Sequence, residues 1–126
     1  MVDTQKIFIV EDDGFLLSMY STKLELEGYK VFSAQDGEKA VRMIKKTRPD
    51  LILLDLILPA KDGFEVLREI KADSATAGIP VIVLTNLGQK EDIDRCFRLG
   101  AVDYLIKAHF IPSEVINKIK KVLAGL

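Results

Sequence analysis

With 126 residues, 48% hydrophobic and 29% charged, the chain has the length and balance of one globular domain spanning residues 1–126, which excludes a disordered or fibrous segment. Eighteen basic against nineteen acidic side chains leave a net charge of -1. No global field therefore draws it to nucleic acid or to an anionic membrane, and no direct contact with either is expected. A lone cysteine, Cys96, excludes an internal disulfide and a cysteine-rich zinc site. No signal-peptide pattern stands in the first residues, and the longest apolar run is broken by Asp55 well short of a bilayer span, so a cytoplasmic home is expected.

The first apolar run, residues 7–10, is followed by Glu11 and Asp12, with Asp13 as the predicted N-cap of a helix that Gly28 closes. A second run covers residues 29–34, after which Ala40, Val41 and Ile44 share one helical face. The third, residues 51–54, ends at Asp55. Asp62 with Glu65 resembles a capping pair ahead of the stripe Phe64, Leu67 and Ile70. The fourth, residues 81–84, is followed by Thr85 and by a helix in which Cys96 reads as a small packing residue and Gly100 as the cap. The fifth, residues 102–106, is followed by Lys107 and by His109, expected on a loop or the surface. Pro112 opens a last helix whose apolar stripe is Val115, Ile116, Ile119, Val122 and Leu123. Near-continuous apolar runs alternating with amphipathic stretches predict an α/β, flavodoxin-like, doubly wound fold. Its sheet has five parallel strands in the order 2-1-3-4-5.

In open parallel sheets the carboxyl ends of the strands form the ligand crevice, and Glu11, Asp12, Asp55, Thr85 and Lys107 all fall at such ends. Clustered carboxylates repel and resist full ionisation unless a cation or a proton compensates them. Magnesium suits them, because it takes an octahedron of oxygens from carboxylates, water and phosphate, and no His or Cys lies nearby to favour zinc. Asp55 then reads as a nucleophile toward phosphorus, with the Lys107 ammonium, the Thr85 hydroxyl and backbone amides placed to meet the charge that develops on phosphoryl oxygens.

Taken together, Glu11-Asp12, Asp55-x-x-x-Pro59-x-x-Asp62-Gly63, Thr85 and Lys107 resemble the receiver domain of two-component response regulators over almost the whole chain. The particular likeness is to single-domain, chemotaxis-type regulators. The resemblance implies that a histidine kinase or phosphotransfer protein phosphorylates Asp55. It further implies that Asp12 and Asp55 bind Mg2+ directly, Glu11 through water, and the backbone carbonyl of Ile57 completes the protein ligands. Thr85 and Tyr104 would be the switch pair, changing a face made by the fourth helix, fifth strand and fifth helix, which a downstream protein reads. Such a chain is a phosphoacceptor and not an enzyme beyond its own phosphorylation and dephosphorylation.

The sequence departs from that family at Ala108, where a proline commonly follows the lysine, so a trans Lys107–Ala108 bond is expected. Asn86 is larger than the residue usual after the threonine. Ile57 and Leu87 place apolar side chains where some relatives have polar ones that help water reach the phosphate, and slow self-dephosphorylation is expected. The rival readings are a phosphorylation-independent adaptor, a small-molecule phosphohydrolase, for which no insertion is long enough to form a cap, and a flavin protein, whose phosphate an acidic first loop would repel.

Overall fold

A computed structural model describes residues 4–125. Five strands alternate with five α-helices: β1 (Lys6–Val10), α1 (Gly14–Leu26), β2 (Lys30–Ala34), α2 (Gly37–Thr47), β3 (Leu51–Leu54), α3 (Gly63–Ala72), β4 (Val81–Thr85), α4 (Lys90–Leu99), β5 (Asp103–Ile106) and α5 (Pro112–Leu123). All neighbouring strands are parallel and their order is β2-β1-β3-β4-β5, as the alternation predicts.

The apolar runs are continuous because alternate residues serve opposite faces of the sheet. Phe8, Val10, Ile52, Leu54, Val81 and Val83 meet Ala40, Val41 and Ile44 of α2, Val66, Leu67 and Ile70 of α3, and Cys96 of α4. Ile7, Ile9, Leu51, Leu53, Ile82 and Leu84 meet Tyr20 and Leu24 of α1 and Val115, Ile116 and Ile119 of α5. The strands β1 and β3, bearing the first two acidic ends, pair directly, with Val10 opposite Leu54. Strand order reverses at this pair, so the crevice at their carboxyl ends is lined by both.

The cap predicted at Asp13 forms, its carboxylate accepting from the amides of Phe15 and Leu16 at 2.9 and 3.1 Å. Asp36, which no sequence expectation covered, caps α2 by accepting from the Lys39 amide at 2.8 Å. Gly100 ends α4 in the left-handed region at φ 109°, and Gly28, just past α1, sits at φ 95°. The expected pair at Asp62 and Glu65 forms only in half: Asp62 accepts from the Glu65 amide at 3.0 Å, but the Glu65 carboxylate turns to Arg68 one turn on. A guanidinium offers it a charge-assisted partner that a backbone amide does not match. Two predicted strands are each one residue shorter at the start: Tyr29 is taken into the α1 closing turn by its bond to the Leu24 carbonyl, and Val102 lies half exposed before β5. Among the described residues every peptide bond is trans, Lys107–Ala108 included, and no helix is long and apolar enough to cross a membrane.

Candidate functional site

The acidic residues gather at the β1 and β3 ends. Asp55 continues the ladder past β3, its amide donating to the Val10 carbonyl at 3.0 Å, while the Glu11 amide donates to the Ala34 carbonyl at 3.1 Å. Glu11 and Asp55 are buried, and Asp12, on the turn toward α1, is exposed. One carboxylate oxygen from each of Glu11, Asp12 and Asp55 lies within 4.8 Å of the other two.

Lys107, just beyond β5, extends between two of them. Its Nζ stands 2.6 Å from Glu11 Oε1 and 2.8 Å from Asp55 Oδ2. The remaining oxygens have backbone donors, Asp13 N to Glu11 Oε2 at 3.1 Å and Ile57 N to Asp55 Oδ1 at 3.2 Å. Burial pushes the Glu11 carboxyl above its usual range, against the lowering pull of Lys107 and the Asp13 amide. Burial also opposes the charge on Lys107, but its bonds to Asp55 and Glu11 outweigh this and raise it. Three carboxylates thus face one ammonium, with oxygen donors alone. This donor set suits a hard divalent cation such as magnesium, which would cancel charge that Lys107 leaves uncompensated.

Thr85 pairs in the ladder with Ile106, the residue before Lys107. Thr85, the last residue of β4, is fully buried and its hydroxyl accepts from the Leu87 amide at 3.5 Å. Tyr104, in β5, turns inward and donates to the Leu87 carbonyl at 2.6 Å. Ile57 exposes its side chain beside Asp55. Asn86 and His109 are exposed, and Cys96 is buried, its thiol pushed up to about 11 by that burial, as a packing residue requires.

The loop between β3 and α3 approaches its neighbours closely. A Cβ on Gly63 would lie 2.3 Å from the Asp55 carbonyl oxygen, so only glycine lets α3 begin directly under the acid. Sequence reasoning missed three features: the second partner of Lys107, the Leu87 carbonyl as the seat of Tyr104, and a bond from Gln35 Nε2 to the Asp12 carbonyl at 3.2 Å. For the last two no residue pattern gives a signal, because the acceptors are main-chain atoms.

With this geometry in view, comparison with known proteins is direct. The model of the response regulator receiver domain matches residues 7–120, and the chain belongs to that family. It is 42% identical over 118 residues to the "DNA-binding dual master transcriptional regulator RpaA" of Synechocystis, covering 94% of this chain and 48% of RpaA. The chain thus spans about half the length of the curated relatives it matches. A putative response regulator from Chloroflexus aurantiacus superposes with a TM-score of 0.88 at 33% identity, covering 97% of this chain and 99% of its own. The receiver domain of the sensor histidine kinase PA1611 from Pseudomonas aeruginosa, solved with a magnesium ion coordinated in its active-site cleft, gives 0.85 at 34% identity, covering 98% and 100%. Accepting a phosphoryl group on an aspartate from a histidine kinase is the general function of this family.

Proposed function

We propose that Asp55 is the phosphoacceptor of this receiver, with Asp12 and Asp55 as direct ligands of Mg2+, Glu11 as a ligand through water, and the Ile57 carbonyl as the remaining protein ligand. The observation that carries the reading is Lys107 Nζ held between Glu11 and Asp55 at the edge of a three-carboxylate cluster. A structural ion pair needs one acid; the third carboxylate is left for a cation.

In the proposed step an Asp55 carboxylate oxygen forms the bond to phosphorus as the bond from phosphorus to a histidine nitrogen of the donor breaks, and the nitrogen keeps the electron pair. When bound, magnesium supplies positive charge to the phosphoryl oxygens. Lys107, already beside Asp55, offers a second positive centre, and the amide of Ile57 orients the other carboxylate oxygen. The donor is a histidine kinase or phosphotransfer protein. Thr85 and Tyr104 act as the switch, and a downstream protein reads the face of α4, β5 and α5. Residues 1–126 act as one switching unit in a cytoplasmic, reducing compartment, as in a single-domain chemotaxis-type regulator. It neither turns over a separate substrate nor touches nucleic acid itself. The DNA-binding role in the RpaA name concerns a protein twice as long.

Intact mass after incubation with a small acyl phosphate and magnesium tests this reading. A single labile phosphate, absent without magnesium and abolished by Asp55→Asn, is expected. A phosphate that persists in Asp55→Asn overturns the assignment. Magnesium binding without any phosphate, from either an acyl phosphate or a kinase, turns the reading toward an adaptor.

A further inference from the structure

Residues 35–37 contribute no side chain to the charged cluster, yet they touch both loops that bear it. Gln35 Nε2 donates to the Asp12 carbonyl at 3.2 Å, in the loop joining β1 to α1. Two residues on, the Gly37 amide donates to the Pro59 carbonyl at 3.2 Å, in the loop joining β3 to α3, and the same carbonyl takes the Lys61 amide at 2.8 Å. This second contact is close: a Cβ on Gly37 would stand 1.8 Å from the Lys61 carbonyl oxygen. Asp36, between the two, is fixed as the N-cap of α2, so the start of the helix sets the spacing of the two contacts. The Ala34 carbonyl, which accepts from Glu11, immediately precedes the segment.

We propose that residues 35–37 form a positioning segment that holds the Glu11-Asp12 loop at a set distance from the Asp55 loop, with Gln35 as its positioning residue for divalent-cation binding. The inference rests on the reading of the cluster as a magnesium site. The three carboxylates repel one another, and the Lys107 ammonium bridges only Glu11 and Asp55, so the position of the Asp12 turn depends on other ties. Asp12 is the exposed member, on a turn whose carbonyl Gln35 ties down. Magnesium demands near-ideal octahedral geometry, so a small displacement of one ligand loop is felt in affinity. Groups that orient ligands commonly change metal affinity by about 10–100-fold when removed. A single exposed amide acting on a ligand's main chain sits at or below the lower end of that range.

Titration of the whole chain with magnesium chloride alone, by calorimetry, compares the unmodified protein with Gln35→Met and Asp12→Ala. Thermal unfolding and amide hydrogen exchange are followed in metal-free buffer. Gln35→Met keeps the length of the side chain and removes its N–H donor. The expected result is a magnesium Kd weaker by about 3–10-fold, faster exchange at the Asp12 and Asp13 amides, and a Tm within about 2 °C of the parent, since an exposed side chain contributes little to stability. Unchanged magnesium affinity in Gln35→Met overturns the proposal, whether or not the Tm falls, because a fall would then mark a structural tie only. Asp12→Ala separates the two levels. If it abolishes binding while Gln35→Met does not weaken it, the positioning role alone is wrong. If Asp12→Ala also binds normally, the magnesium site itself is wrong and the proposal falls with it.

Discussion

Tyr104 donates its hydroxyl to the Leu87 carbonyl at 2.6 Å, and the amide of the same Leu87 reaches the Thr85 hydroxyl at 3.5 Å. One backbone residue therefore joins the two side chains proposed to switch. A turn of Thr85 toward the pocket would give up its bond to Leu87, the residue whose carbonyl seats Tyr104.

Tyr104→Phe removes this tie, with an expected loss of about 1 kcal/mol in urea unfolding, the usual net worth of one hydrogen bond. Burial pushes the Tyr104 hydroxyl up to about 12, above the ordinary 10.0. The folded state then keeps a proton that the unfolded state releases, so this contribution is full below pH 10 and is lost as pH rises toward 12. Because burial also raises Tyr20, phenolate absorbance should show one fewer late-ionising tyrosine in Tyr104→Phe than in the parent.

Glu11 works against the fold at neutral pH. Its carboxyl is raised by burial, so the stability linked to it is present below the unfolded value of 4.5 and declines as pH rises through the folded one. Glu11→Gln should gain on the parent as pH rises above 4.5 in metal-free buffer. Magnesium should reverse the ranking, since only the protein that binds it well is stabilised, by about 2.7 kcal/mol at 100 times Kd. Urea unfolding with and without magnesium reads both effects.

Gly63→Ala should destabilise by about 2–3 kcal/mol, because the new methyl meets the Asp55 carbonyl at 2.3 Å and the Leu56 Cα at 2.5 Å, both backbone atoms. Unfolding at the parent's urea concentration would show that the start of α3 can move away without cost.

Ile57 and Leu87 should behave differently although both are apolar. Ile57 exposes 54% of its surface next to Asp55, while Leu87 packs against the core formed by α2, α3 and α4. Ile57→Ala is expected to speed phosphate loss several-fold, read by intact mass over time. Leu87→Ala should instead cost about 1–2 kcal/mol of stability.

The fold was legible from residues such as Val10, Leu54 and Leu84, since a strand covered on both faces writes itself as a continuous apolar run and a helix as a stripe at 3–4 residue spacing. The acid cluster was legible for the same reason: Glu11, Asp12 and Asp55 follow runs that must become neighbouring parallel strands, and parallel strands bring all their carboxyl ends to one edge. The capping pair misled because Arg68, three residues beyond Glu65, competes for the same carboxylate.

By itself the sequence determined the elements, the edge on which the chemistry lies and the acids that meet there, because hydrophobic periodicity and strand polarity are local properties of the chain. Only the tertiary structure decided that Lys107 spans Glu11 and Asp55, that Tyr104 is seated on Leu87, and that Gly37 lies against Lys61. Those contacts join segments distant in sequence, several of them through main-chain atoms that every residue possesses. Their partners are chosen by how helices and loops stack on the sheet, which no residue type records.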